Sequence, residues 1–456
     1  EGEGEREGKE RAMEKYQAHP GVNVTVVGIV IRVAMVLATM GLLVWGQIYW
    51  IGLGFPEHHS LARWILSALY ALSFGALVLA MAVFRHSDSP FQVVLTTFGY
   101  FFFSLMAGFL TTYTPAAALY GLVYAITRTA DVAPWSLWST ILGSLLQAVM
   151  YIMPQLPVAV RRVTVDLTDR KTGDGPVQTT SVALFSDTHW CGLVPMRVVR
   201  QTVDALNGLK ADAVVFAGDM SDGGPVPSVV SRIAELTRIE APLFGVTGNH
   251  EAFDKPRAMI NTLKNAGRMH VLENEWADST PKAGPLPIVI CGAHDTAFGQ
   301  PETSQTETET DVVEGYQSVS NSPAGSTQVK QRGVISPAQP TTRKRLVCDI
   351  EGTLSSAPCD RPRLLLCHNP DRRTMAQAAD AGADIVCSGH THAGQVWPFN
   401  IAVRIVYKQF FAGHSLVESD RRDHPMHAVV TSGAGCWGPQ QRFPSRNEIC
   451  LLTVLH

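Results

Sequence analysis

Four long stretches of this sequence, Val33 to Phe55, Trp64 to Phe84, Phe91 to Thr127 and Val132 to Val160, contain no charged side chain. Each exceeds the ~20 apolar residues that cross a bilayer as a helix. Buried helices of a soluble protein are a poor account of so many successive uncharged runs. Aromatic residues gather near their ends (Trp45, Tyr49, Trp50, Trp64, Trp135, Trp138), where a ring sits well at the headgroup level. A basic excess is also missing: 37 Lys and Arg face 40 Asp and Glu, for a net charge of −3 and a pI near 6.6. No nucleic-acid partner is therefore expected, because such binding rests on a positive footprint. Paired CxxC spacings are absent too. All eight cysteines lie from Cys191 onward, and Cys291, Cys367 and Cys387 fall in or at the end of apolar runs, so they read as reduced structural thiols.

Residues 1–20 alternate Glu with Lys and Arg and read as a solvated polar tail. A transmembrane region of four or five helices follows over residues 21–160. The third uncharged stretch is about twice the length a span needs, and Thr111, Thr112, Thr114 and Pro115 in its middle could turn the chain. Parity decides which side the rest of the chain faces. With four spans, the basic residues before the first (Arg6, Lys9, Arg11, Lys15, Arg32) and after the last (Arg161, Arg162) all lie inside. A multi-pass integral membrane protein with a cytoplasmic C-terminal domain is the reading adopted; five spans would place that domain outside.

From Val163 onward short apolar runs alternate with amphipathic ones. Val182 to Phe185, Ala213 to Ala217, Leu243 to Val246, Pro287 to Cys291, Leu364 to Cys367 and Ile385 to Cys387 read as strands. Met196 to Leu209, Val226 to Leu236, Arg257 to Ala266 and Arg373 to Ala379 carry apolar residues at helical spacing. The alternation predicts an α/β domain over residues 163–456, a layered β-sandwich flanked by helices. Gln300 to Arg345 interrupts it, rich in Ser, Thr, Gln, Glu and Pro, and reads as a disordered insertion.

Polar residues sit where those strands end. Asp187 and His189 follow VALFS, Asp219 follows AVVFA, and Asn249 and His250 follow LFGVT; His368 follows LLLC, and His390 and His392 follow DIVCS. Sites form at that rim in open α/β sheets. Mixed carboxylates and imidazoles suit divalent Mn, Fe or Zn, and a bridging carboxylate can hold two ions ~3.5–4 Å apart. Such a pair polarises a phosphoryl group and activates a bound water. Alone, an Asp-x-His is usually a surface pair, a Gly-Asp a turn, and a histidine on an apolar strand a satisfied core residue. Five sets in order are harder to dismiss.

The blocks SDTH, GDMSDG, GNHE, CHNPD and SGHTHAGQ resemble those of the calcineurin-like metallophosphoesterase superfamily. The strings GHTHAGQ and SGAGCWGPQQRFPSRNEICLLTV are similar to a narrower group, which holds membrane-associated bacterial phosphodiesterases of the YaeI/YkuE type and eukaryotic transmembrane proteins with a metallophosphoesterase domain. The resemblance implies that Asp187, His189 and His392 hold one metal, that Asn249, His368 and His390 hold the other, and that Asp219 bridges them. His250 resembles the histidine beside the substrate phosphate. Asp222, Glu251 and Asp295 resemble residues that orient the ligands, or are plain surface acids. Ala393 stands where the subgroup commonly has Gly and Thr188 where it commonly has Leu. Trp437, Arg442 and Arg446 fall in the C-terminal segment, with Arg442 the candidate to bind substrate phosphate through its planar fork.

The expected activity is hydrolysis of a phosphodiester or pyrophosphate through a dinuclear centre. The bilayer and a phosphoester substrate are the expected partners, with a lipid-linked substrate suggested by the resemblance, since some relatives cleave the pyrophosphate of a nucleotide-linked acylated sugar. Two other classes compete. A receptor or trafficking adaptor could keep the metal-bound fold with little turnover, and the apolar region could be a transporter regulated by the domain. No charge inside the uncharged runs marks an ion path, which counts against the transporter.

Overall fold

The computed structural model describes residues 44–55, 57–83, 90–170, 176–253, 255–280, 284–299 and 346–456. The polar tail at 1–20, the start of the first uncharged stretch and the insertion at 300–345 lie outside them. The chain divides into two units, one of residues 1–153 with 396–399 and one of 154–395 with 400–456.

In the first unit residues 44–53 are helical, followed by α1 (His59–Val83), α2 (Pro90–Thr127) and α3 (Val132–Ile152). Helix α2 runs unbroken through Pro115, so the turn entertained for the third uncharged stretch does not form. In apolar surroundings a helix is the only way for a single segment to satisfy its own backbone, and it tolerates an internal proline there. Helix α3 starts on Asp131, whose side chain accepts from Ala133 N. Among the described residues, His59–Leu79 and Val132–Gln155 are long and apolar enough to cross a membrane. Polar groups inside this unit find one another: Trp50 Nε1 donates to Ser139 Oγ at 2.9 Å, and Tyr70 OH to Gln47 Oε1 at 2.7 Å.

The second unit is built on two six-stranded mixed sheets. The first comprises β1 (Ala159–Asp166), β2 (Thr179–Phe185), β3 (Ala213–Ala217), β4 (Leu243–Val246), β5 (His270–Val271) and β12 (Glu448–Leu455), in the order β1-β12-β2-β3-β4-β5. The second comprises β6 (Glu275–Thr280), β7 (Gly284–Gly292), β8 (Arg363–Leu366), β9 (Ile385–Ser388), β10 (Gly413–Val417) and β11 (Met426–Val430), in the order β10-β11-β9-β8-β7-β6. Strands β2 to β5 are mutually parallel, and so are β7, β8, β9 and β11.

Alternation along each strand divides the core. Val182, Leu184, Val215 and Val246 of the first sheet pack with Ile288, Ile290, Leu364, Leu366 and Ile385 of the second. The neighbouring residues Ala183, Phe185, Val214 and Phe216 point the other way, against α4 (Met196–Gly208), α5 (Pro227–Ile233) and α7 (Pro256–Asn265). On the outer face of the second sheet, Val289, Leu365 and Val386 pack with α8 (Ile350–Ser356) and α9 (Arg372–Asp380). Layers run helix, sheet, sheet, helix. Phe185 and Phe216 are fully buried with ring centroids 4.9 Å apart, and each such side chain contributes ~1.5–3 kcal/mol by leaving water.

Strand β1 begins at Ala159, inside what the composition reads as the last uncharged stretch, because VRRVTVD alternates and pairs with β12 from Ala159↔Glu448 to Asp166↔Leu455. All eight cysteines are free thiols.

Candidate metal centre

The parallel strands deliver their C-terminal ends to one rim. Asp187 and His189 leave β2, Asp219 leaves β3, and Asn249 opens α6 (Asn249–Phe253) after β4; His368 leaves β8, and His390 and His392 leave β9. These turns are sharp. Asp187, His189, Asp219, His390 and His392 all have positive φ, between 44° and 68°, a region that costs an L-residue roughly 1–2 kcal/mol. Strain of this kind is kept where surrounding structure enforces it. Gly248 and Gly389 permit the crowding, since a Cβ at Gly248 would collide with Asp219 Oδ1 and one at Gly389 with Asp187 Oδ2.

The ligands expected from the sequence form two clusters of donor atoms, and His189 also groups with Asp222 and His250. In the first, His189 Nε2 lies 3.0 Å from His392 Nε2, and His392 Nε2 lies 3.5 Å from Asp187 Oδ1. In the second, Asn249 Oδ1 lies 2.8 Å from His390 Nδ1 and 3.1 Å from His368 Nε2, and His368 Nε2 lies 3.0 Å from Asp219 Oδ2. The same Asp219 Oδ2 is 3.8 Å from His189 Nε2, so one carboxylate reaches both clusters. Donor atoms each ~2.1 Å from a common ion, at tetrahedral to octahedral angles, are about 3.0–3.4 Å from one another. Most spacings within each cluster are near those of a divalent-ion site.

Outer partners set which ring nitrogen faces inward. His189 Nδ1 is 2.6 Å from Asp222 Oδ1, and His368 Nδ1 is 2.7 Å from the Ala217 carbonyl. A carbonyl can only accept, so His368 Nδ1 carries a proton and it is Nε2 that faces the centre. Glu251 binds three backbone N–H groups, of Asp219 (3.0 Å), Met220 (2.8 Å) and Gly248 (2.7 Å), tying the loops after β3 and β4 together. Asp295 instead caps a short turn through Ala297 N, and Asp371 caps α9 through Thr374 N. Thr188 turns away from the donors and gives its hydroxyl to the Met220 carbonyl at 2.9 Å.

Charge is divided unevenly among the rings. Burial works to lower the pKa of His189, but the carboxylates of Asp222, Asp219 and Asp187 raise it to about 9. His368 is raised as well, the pull of Asp219 and Asp187 overcoming burial. Burial and the charge on His368 push His390 down to about 3, and burial with the charges on His189 and Arg442 holds His392 well below the ordinary value. His250 is lowered by burial.

His250 stands beside the first cluster. Its N–H donates to Asp219 Oδ1 at 2.9 Å, its Nδ1 lies 3.6 Å from Asp222 Oδ1, and its ring meets that of His189 edge-on at 4.8 Å. Phe253 and Trp437 flank it at centroid distances of 5.8 and 6.3 Å, and both are largely exposed.

Arg442 requires a correction. Expected to bind substrate phosphate, it is fully buried, and its guanidinium is engaged by the carbonyls of Ser432 (2.7 Å), Gly435 (3.0 Å) and Arg446 (3.2 Å) and by His392 Nδ1 (3.0 Å). The segment 431–447 wraps around it, so its fork holds a loop and a histidine instead of a ligand. Sequence reasoning also missed Gln395, whose amide accepts from Trp437 N at 2.9 Å and donates to Trp437 O at 3.0 Å. Its only signal was its place at the end of GHTHAGQ.

Residues 180–394 match the calcineurin-like phosphoesterase family. The chain carries a calcineurin-like metallophosphoesterase domain. Relatives of the metallophosphoesterase domain include an uncharacterized metallophosphoesterase of Helicobacter pylori strain J99, 25% identical over 276 residues that cover 60% of this chain and 59% of that protein. The transmembrane protein with metallophosphoesterase domain of Bos taurus is 26% identical over 276 residues, covering 60% of this chain and 52% of its own length. The uncharacterized metallophosphoesterase YkuE of Bacillus subtilis is 24% identical over 278 residues, covering 60% of this chain and 78% of its own. The chain thus spans little more than half the length of the first two. Its apolar helices and the relatives named as transmembrane proteins suggest membrane association.

Proposed function

We propose that this metallophosphoesterase domain hydrolyses a phosphodiester or pyrophosphate bond at a dinuclear centre, with the chain anchored in a bilayer and its substrate membrane-associated or lipid-linked. The observation that carries the reading is Asp219 Oδ2, which lies 3.0 Å from His368 and 3.8 Å from His189. In this assignment Asp187, His189 and His392 hold one ion, Asn249, His368 and His390 the other, and Asp219 both. Two divalent ions bound there would supply Lewis-acid polarisation of a phosphoryl oxygen and acidify a coordinated water.

The chain's own residues do the rest. Asp222 fixes the ring of His189 and leans toward His250, so the ligand and the acid–base group share one anchor. His250 is three-quarters buried or more, neutral at pH 7 by the direction of its shift, and free at its outer edge to hydrogen-bond a phosphoryl or leaving oxygen. Trp437 and Phe253 stand on either side of that ring. Retention of His250 in this position favours turnover over an adaptor role, which needs only the metal-bound fold.

The test is metal analysis of the purified full chain coupled to hydrolysis of bis(4-nitrophenyl) phosphate. Two ions per chain in the active form, and loss of activity in His250→Ala with metal content unchanged, are expected. Fewer than two ions in the active form would overturn the dinuclear centre, and a fully loaded chain inert on every phosphodiester tried would favour the adaptor.

A further inference from the structure

Helix α10 (Phe399–Tyr407) buries none of its residues, yet it is mostly apolar. At about 100° per residue, Ile401, Ala402, Ile405 and Val406 fall on one face, and they are exposed, Ile405 by 68% and Val406 by 67%. Val403 and Tyr407 fall on the opposite face and are half-buried. Tyr407 links the helix to the metal centre: its OH reaches Asn369 Oδ1 at 3.3 Å, and its ring lies 5.9 Å from that of His390. Arg404 and Lys408 border the apolar face along one edge, and the segment from Phe399 to Phe411 contains no acidic residue.

We propose that α10 is an interfacial helix that seats the rim of the metal centre on an anionic lipid surface. Three observations select a bilayer as the occupant. A short helix with an exposed aliphatic face, bordered by Arg and Lys and free of acids, has the charge and shape complementary to anionic headgroups over acyl chains. The chain supplies the surface itself, since Val132–Gln155 can cross a membrane and β1 starts at Ala159. A connector that short leaves the domain within a few residues' reach of the bilayer, so docking is an intramolecular event and a modest apolar face suffices. Finally, the insertion at 300–345 is rich in Ser, Thr, Gln and Glu and offers little apolar surface to cover the face.

Docking through α10 turns the His390 side of the centre toward the headgroup layer, and a lipid-borne phosphoester then needs no extraction to reach it. This functional half rests on the phosphoesterase reading; the docking itself does not.

The experiment uses the full chain with Cys359→Ser, reconstituted in phosphatidylcholine vesicles containing phosphatidylglycerol, with a fluorophore on Ile405→Cys. Quenching by acyl-chain nitroxide lipid and protection from aqueous iodide are expected, with protection weakened when phosphatidylglycerol is omitted. Free access of iodide and no nitroxide quenching would overturn the proposal. So would lipid-independent excimer emission from a pyrene label at the same position, which would make the face a contact between two copies. In the same vesicles, Ile405→Glu with Val406→Glu should slow hydrolysis of an embedded lipid phosphodiester about tenfold or more and leave bis(4-nitrophenyl) phosphate within about twofold. Equal loss on both substrates would remove the lipid-delivery role. No hydrolysis of either by the unmutated chain would sink the phosphoesterase reading while the quenching result still decides the docking.

Discussion

Arg442 Nη2 lies 3.0 Å from His392 Nδ1, behind the ring whose other nitrogen faces the metal centre. Burial, with the positive charges of His189 and Arg442, keeps that imidazole neutral, the state in which it can bind an ion. Arg442→Ala leaves the carbonyls of Ser432 and Gly435 without their donor and should cost about 2–4 kcal/mol, read as a lower unfolding midpoint. Metal content and kcat should fall together. An unchanged metal content with a raised KM would instead restore Arg442 to the substrate.

Asp219 and Asp222 make separable contributions. Asp219→Asn removes a charge from both clusters and is expected to lower bound metal below two per chain. Asp222→Asn leaves every donor atom in place but frees the His189 ring, and should weaken metal affinity about 10–100-fold. Competition with a chromogenic chelator measures both; equal losses would mean Asp222 is itself a ligand.

Metal loading must expel protons. His189, raised to about 9, and His368, also raised, are protonated at pH 7 in the metal-free chain, and neither can bind an ion in that form. Since the bound state holds fewer protons, affinity rises with pH and falls as acid is added. Calorimetry in buffers of different ionisation heat should find a release near two protons per chain at pH 7, declining toward pH 9. A pH-independent affinity between 6 and 9 would contradict it.

Ala393 has φ 48° and ψ 35°, left-handed for a residue with a Cβ. Replacing it by Gly relieves that strain at the expense of a freer unfolded chain, for a net gain of roughly 0.5–1 kcal/mol. Thermal unfolding of Ala393→Gly should shift upward, with metal content unchanged. A downward shift would show that the surrounding turn, not the residue, fixes the conformation.

Much of the domain is legible in residue order alone. Short continuous apolar runs place Val182 to Phe185 and Ala213 to Ala217 in strands, and helical spacing finds Met196 to Gly208, because a strand buried on both faces and a helix buried on one each leave a local pattern. Strands β1, β5, β6, β10, β11 and β12 went unread: β10, for one, alternates half-buried with exposed residues, while β11 and β12 hold their place through pairing with β9, β1 and β2. Chemical type at strand ends likewise suffices to name Asp187, His189, Asp219, Asn249, His368, His390 and His392 as candidates. Residue order cannot say that Asp219 reaches both histidine clusters, that Arg442 is spent inside a loop, or that Ile405 and Val406 face outward. Those depend on which distant segments the two sheets bring within a few ångströms, and burial and hydrogen-bond satisfaction are properties of that packing, not of any residue by itself.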